Sequence, residues 1–380
     1  MQSAQRIERS QACLFGGAIG DTLGAPVAAL DWPTLRTRFG AQGVQSLVSA
    51  HGGVGRVGDT TQLTLFTAEG LLRAYVGIQE RGVYAPASAI HHALIRWLTT
   101  QGLPAAVPCI DRCTGLVGDP RLHARRGPSD VCIEALAQAP AFGWQPRDAR
   151  RGGGAMRVAP IGLFPWGDFL MRHRERAFQL ACESVRCTHA HPGDYLAAGI
   201  FAYLINGMLE TQRPLAALIG EALAYMDSGD AVTFHLDAEE RRALPRERAR
   251  LRFLLDTVLD FHARGFAPTP QGIDVLLSGR DSEEILAIGL WCVLMATSYR
   301  QGVLWAVNHG AASDATGLVA GHLLGLHFGL EGLPPAWLEA LELRDWLDRL
   351  AHDLLWLPSV YRGRGAGVHD AELLARYPAW

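Results

Sequence analysis

Lysine does not occur in this chain, so all 35 basic residues are arginine. No ε-amino group is open to modification. Biased codon usage in a GC-rich genome is the preferred explanation; the alternative is a chain that avoids lysine modification inside a host cell. Long apolar runs are missing as well. The longest uncharged stretches, such as residues 195–209, fall short of the roughly 18 residues a membrane span needs, which excludes the membrane as a partner at this stage. No block of five or six like charges is present. The densest cluster, Glu239-Glu240-Arg241-Arg242 through Arg246-Glu247-Arg248, is mixed in sign and suits a solvated helix face. With a net charge of −3 there is no concentrated basic face, and nucleic acid is excluded as the main partner. The N-terminus carries charges through Arg9 and then turns glycine-rich, so no secretory signal is visible. The cysteines (13, 109, 113, 132, 182, 187, 292) are odd in number and lack zinc-finger pairing, Cys109-x3-Cys113 being a weak match. They fit reduced core thiols in a cytoplasmic protein.

What is present is apolar and rich in small residues: 49% of the chain is hydrophobic and 42 residues are glycine. Length alone allows two or three domains, but no stretch has the composition of an interdomain linker. Period-two alternation is never sustained. Helical spacing is read at 7–20, 60–76, 86–100, 130–138, 171–187, 194–209, 214–227, 237–262, 282–299, 302–307 and 337–357, with a loop-rich, proline-broken region at 101–131. The expectation is one all-α domain over residues 1–380.

Two stretches have a common design. Residues 308–325 begin as a polar, small-residue loop and turn at Asp314 into an apolar helix. Its Gly317, Gly321, Gly325 and Gly329 recur every four residues and so share a face. Each glycine costs a helix roughly 1 kcal/mol relative to alanine; four on one stripe predict very close approach of another helix. Residues 52–73 likewise deliver Asp59, Thr60 and Thr61 from a glycine-rich loop to the start of an apolar helix. An N-cap on a core helix accounts for either aspartate alone, whereas two such loops together can build one site. A third element, Arg150-Arg151-Gly152-Gly153-Gly154, sets backbone N–H groups beside cations, as a phosphate cradle requires, although a surface loop has the same composition. Two histidines, His189 and His191, lie in the linker between two helices.

These segments are similar to those of the ADP-ribosylglycohydrolases, the all-α group that includes dinitrogenase-reductase-activating glycohydrolase. The resemblance runs from about residue 11 to 355. It is carried by Gly16-Gly-Ala-Ile-Gly-Asp-Thr-Leu-Gly-Ala-Pro26, Gly58-Asp-Thr-Thr-Gln-Leu-Thr-Leu-Phe66, Gly153-Gly-Ala-Met-Arg-Val-Ala-Pro160, Cys187-Thr-His189, and Ala306-Val-Asn-His-Gly-Ala-Ala-Ser-Asp-Ala-Thr-Gly-Leu-Val-Ala-Gly321. It implies a single compact orthogonal helical bundle, a monomer, and cleavage of the N- or O-glycosidic bond between ADP-ribose and a protein side chain, usually with two magnesium ions. Magnesium takes oxygen ligands in octahedral geometry. The family supplies them from Thr-Asp-Asp in the second segment and Asp-x-Asp-Thr/Ser in the last. This chain departs from that pattern. Gly58 stands for the threonine, Thr60 for the second aspartate, Ala312 for the first aspartate of the last motif and Ala315 for its hydroxyl. Val27, Ala28 and Ala29 offer no glutamate after the first segment. The expectation is therefore no metal and no cofactor.

The resemblance then implies a bacterial, metal-independent ADP-ribosyl hydrolase, cytoplasmic or delivered into a host cell. Asp59 and Asp314 are its catalytic candidates, as stabiliser of an oxocarbenium-like transition state and as base for water. Arg150, Arg151, Gly152 and Gly153 would hold the diphosphate, His189 would contact ADP-ribose, and Thr60, Thr61 and Ser313 would reach the proximal ribose. The alternatives are a catalytically inactive ADP-ribose-binding pseudoenzyme or occluding partner of an ADP-ribosylating toxin, and a purely structural protein.

Overall fold

The computed structural model describes residues 3–28, 30–107, 114–146, 152–166, 173–276, 279–310, 312–361 and 371–379. Arg150, Arg151, Cys109 and Cys113 thus lie outside the described residues. Seventeen α-helices follow one another among the described residues: α1 Ser3–Gly24, α2 Trp32–Phe39, α3 Asp59–Arg81, α4 Pro86–Thr100, α5 Asp130–Gln138, α6 Ala159–Leu163, α7 His173–Val185, α8 Pro192–Glu210, α9 Leu215–Met226, α10 Ala238–Ala263, α11 Pro270–Leu276, α12 Ser282–Met295, α13 Tyr299–Val307, α14 Ser313–Phe328, α15 Pro335–Ala340, α16 Arg344–Val360 and α17 Ala371–Arg376. No strand occurs among them, only an isolated bridge between Ala50 and Gly53. The chain is all-α, as expected.

The expected helices 282–299 and 302–307 are both found, with the break between them earlier than expected, whereas the expected 337–357 helix is in fact two, α15 and α16. α12 ends at Met295, and α13 restarts behind Ser298, whose side chain accepts from the Gln301 N–H at 3.2 Å. Polar Thr297 and Ser298 offer side-chain partners that compete with the helical ladder. At the other end of the chain, α1 stops at Gly24, two residues before Pro26.

α1 and α14 lie antiparallel, at backbone contact. A Cβ on Gly20 would sit 1.9 Å from the Gly317 carbonyl oxygen, one on Gly16 2.3 Å from that of Gly321, and one on Gly24 2.2 Å from that of Ser313. From the other side, a Cβ on Gly325 would meet the Ala12 carbonyl oxygen at 2.0 Å. No side chain fits between these helices. The close approach inferred from the glycine spacing is therefore real, but only three of the four glycines take part. Gly329 closes α14 at φ 71° with nothing within 4 Å of its missing Cβ, and glycine is there for backbone conformation. Beside the seam, the His322 ring fills the slot left by Gly17, whose Cβ would fall 2.2 Å from it. The Tyr299 hydroxyl donates to the Gly16 carbonyl at 2.7 Å. α16 packs on α1 and α3, while α12 and α13 flank α14. α8, buried along nearly its whole length, packs against α6, α7, α9, α10 and α12.

The seam predicts opposite outcomes for one substitution type. Gly20→Ala forces carbon into a backbone carbonyl and should cost roughly 3 kcal/mol in a denaturant titration. Gly220→Ala, in exposed α9 with nothing within 4 Å, should gain roughly 0.5–1 kcal/mol. Equal effects at the two positions would contradict the seam.

Candidate active site

The seam sets three helix ends together. Asp21 lies in the last turn of α1, Asp59 opens α3, and Asp314 opens α14. α3 has no side-chain cap of its own at Gly58; Asp21 supplies one from a different helix. Its carboxylate accepts the Gly58 N–H at 2.7 Å and the Thr61 hydroxyl at 2.5 Å. A Cβ on Gly58 would come within 2.7 Å of the same carboxylate, so the space a threonine would use there is taken by Asp21. The loop before α3 is fixed by the buried Arg126, which pairs with Glu342 and donates to the Val57 carbonyl at 2.9 Å. The Asp59 N–H donates back to the Arg126 carbonyl at 3.2 Å. Asp21 was absent from the residues singled out by sequence. Its signal was a carboxylate lying among the seam glycines.

Burial and mutual repulsion dominate the electrostatics. Asp59 is buried, and desolvation, then Asp21 and Asp314, push its carboxyl well above the usual carboxylate range, against the pull of the Ser129 and Thr60 backbone N–H groups. Asp21 is pushed up to about 6 by burial, opposed by the Thr61 hydroxyl and raised further by Asp314. The half-buried Asp314 is raised by desolvation; the Ala315 N–H, donating at 2.8 Å, and nearby His51 pull the other way. His51 is a second residue the sequence did not single out. It adopts φ 52° in the tight turn closed by the Ala50–Gly53 bridge.

A small cavity of about 30 Å³ opens beside Asp59, lined also by Thr60, Ser129, Gly153, Arg157 and His189. It has room for one or two waters. Four of the singled-out residues, Asp59, Thr60, Gly153 and His189, therefore meet at one place, with Asp314 coupled to Asp59. Gly153 takes φ 66°. A Cβ on neighbouring Gly154 would come within 3.0 Å of the His189 ring, so this loop packs directly on the histidine. The Gly152 N–H donates to buried Asp194 at 3.4 Å, and Ser282 also hydrogen-bonds that carboxylate. Two residues are placed otherwise than expected. Thr61 is buried with its hydroxyl on Asp21, and Ser313 is buried with its hydroxyl on the His309 carbonyl at 3.2 Å; neither lines the cavity. His191 caps α8, accepting the Gly193 N–H at 3.1 Å, and faces a different pocket. Arg157 adds a buried guanidinium to the cavity wall. It donates to the Ser184 carbonyl at 3.1 Å, while its Nε has no hydrogen-bond partner.

The profile of the family described as ADP-ribosylglycohydrolase matches residues 2–364, and the chain belongs to that family. A solved structure titled "ADP-ribosylglycohydrolase-related protein complex" superimposes with a TM-score of 0.63 at 23% identity, covering 93% of this chain and 98% of that one. An uncharacterized protein of Archaeoglobus fulgidus is 23% identical over 350 residues, 91% of this chain and 96% of its own. ADP-ribosylarginine hydrolase Tri1 of Pseudomonas putida is 30% identical over 71 residues, which is 19% of each chain. No helix among the described residues is long and apolar enough to cross a membrane.

The donor set does not fit the family's pair of magnesium ions. Among the described residues no three His, Cys, Asp or Glu side chains converge where one ion could be held. The Asp21 carboxylate is engaged by Gly58 and Thr61, and Ala312 and Ala315 contribute no oxygen. The uncompensated carboxyls have a measurable consequence. Each raised aspartate contributes stability that is complete below its unfolded value near 4 and is lost as pH rises through its folded value. His91, His309 and His322, held to about 4 by burial, act oppositely and cost stability as pH falls from about 6.5. Asp59→Asn should therefore stabilise the fold near neutral pH, with the gain gone at about pH 4. Denaturant titrations at the two pH values check this; a variant less stable near neutrality contradicts it.

Proposed function

We propose that this chain, acting over residues 1–380 as one domain, hydrolyses the glycosidic bond joining ADP-ribose to a protein side chain, and does so without magnesium. Family membership supports the hydrolase class. The observation that carries the finer reading is the coupled set of aspartates at the junction of α1, α3 and α14, with no cation cage around it. Burial and mutual repulsion raise all three carboxyls, which favours protons and carboxylates held together, the condition for acid and base work at one site.

Asp59, the more buried, is assigned the proton. It passes that proton to the leaving nitrogen or oxygen as the bond to the anomeric carbon breaks. Asp314, half-exposed and eased toward ionisation by the Ala315 N–H and His51, stabilises the positive charge developing on the sugar. It then takes a proton from the water whose oxygen bonds to the anomeric carbon. Free ADP-ribose and the unmodified side chain result, and solvent returns the proton to Asp59. Gly153 would meet the diphosphate with its backbone N–H, and Gly152, Arg150 and Arg151 of the same segment would assist it. His189 and Thr60 face the ribose. Asp21 positions α3 and keeps Thr61 in place. The short likeness to an ADP-ribosylarginine hydrolase makes ADP-ribosylated arginine the first substrate to try.

Proteins carrying ADP-ribose on arginine, serine or threonine, incubated with the chain in excess EDTA, test this directly. Release of ADP-ribose should persist in EDTA and fall by roughly 10²-fold or more in Asp59→Asn and Asp314→Asn. Release that requires added magnesium contradicts the metal-free mechanism. Tight binding of ADP-ribose with no release on any substrate makes the chain a reader rather than an enzyme.

A further inference from the structure

A groove of about 690 Å³ runs between α2, the start of α11 and α13. In a chain of net charge −3, its wall holds Arg36 and Arg300 and not one aspartate or glutamate. Both arginines are exposed. Arg300 donates to the Gln45 backbone carbonyl at 2.7 Å and lies over the Trp337 ring at 5.6 Å. Neither arginine has a carboxylate within ion-pair distance among the described residues. Two tryptophans, Trp32 and Trp305, supply aromatic surface beside them. Trp32 is only 8% exposed, so it forms part of the groove floor. The groove touches the chain just ahead of Asp314 in sequence. Its lining includes Asn308, the first residue after α13 and the start of the segment that leads to Asp314. Asn308 is held firmly: its side chain accepts the Val44 N–H at 2.7 Å and donates to the carbonyls of Val44 and Leu304.

We infer that this groove docks an acidic segment of the protein that bears the ADP-ribosylated side chain. Carboxylates of the segment pair with Arg36 and Arg300, and the exposed glutamines of the wall suit a polar main chain. Arginine is apt for this because its planar fork grips carboxylates through two N–H groups at once. Such docking selects acceptor sites by the charge of their flanks, independently of the chemistry at the aspartates. The inference rests on the hydrolase reading for the identity of the partner, not for the groove's preference for negative charge.

Two measurements separate the two. In the first, a fluorescein-labelled, glutamate-rich peptide without ADP-ribose and its glutamine analogue are titrated with the full chain by anisotropy. The glutamate peptide should bind about 10-fold more tightly at about 50 mM salt, and the preference should shrink at about 300 mM, since exposed charges are screened. It should vanish in Arg36→Gln/Arg300→Gln and reverse toward a lysine-rich peptide in Arg36→Glu/Arg300→Glu. Circular dichroism of both variants, altered only at exposed positions, confirms the fold. Equal affinities for the two peptides, or a glutamate preference that survives in both variants, would overturn the groove. In the second, the same peptides carrying ADP-ribosylarginine should differ about 10-fold in KM but little in kcat, and the difference should be lost in the double variant. Charge-selective binding without cleavage of any peptide leaves the groove standing and removes the hydrolase reading instead.

Discussion

Everything at the candidate site is referred to one contact, the meeting of α1 and α14 at backbone distance. Glycine carbonyls of one helix occupy the places where side chains of the other would stand. Helices without side chains between them can approach more closely than the usual 8–10 Å between axes, and close packing leaves little freedom to slide. One end of this seam lies where Gly24 meets Ser313, and there Asp21 and Asp314 are carried by backbone that cannot shift independently. α3 is tied to the same point because Asp21 serves as the cap it lacks. The helical glycines weaken each helix taken alone, and the closeness they allow is what makes the site rigid.

Rigidity fixes an unfavourable charge arrangement in place. Three aspartates repel one another in a region from which water is largely excluded, and the cations close by are engaged elsewhere: Arg126 with Glu342, Arg157 with the Ser184 carbonyl. Such a cluster is quieted by metal ions or by protons. The positions at which the family places further oxygen ligands are Gly58, Thr60, Ala312 and Ala315 here. Gly58 cannot gain a side chain without moving Asp21. In this chain the Asp21 carboxylate lies against Gly58 and accepts its N–H. On the proposed reading protons reduce the charge, and shared protons are what general acid and base chemistry needs.

Much of this was legible in the sequence, for physical reasons that also mark its limits. Glycine at every fourth position of an apolar helix is so unfavourable alone that its spacing announces a partner. The loops ending in Asp59 and Asp314 were legible because polar, glycine-rich segments leading into apolar helices are unusual. The orientation of single side chains was not. Thr60 and Thr61 are adjacent on a helix, about 100° apart around its axis, so only one can face the cavity, and which one depends on Asp21 from another helix. Ser313 is turned toward the His309 carbonyl by the same tight entry into α14. Short helices such as α2, α6 and α11 went unread because one or two turns show too little periodicity, even where Asp31 caps α2 by accepting the Thr34 N–H at 2.8 Å. The break before α13 was expected too late in the chain because no glycine or proline marks its true position.

The central claim is that the aspartate set is quieted by protons, and carbon NMR of the chain with ¹³C-labelled aspartate carboxyls, titrated in chelator, tests it most directly. Asp21→Asn, Asp59→Asn and Asp314→Asn identify the three signals by subtraction. The account predicts that all three titrate above the ordinary carboxylate range, Asp21 at about 6, with midpoints that move when a neighbour is replaced. Three independent titrations near the ordinary value of about 4 would contradict it.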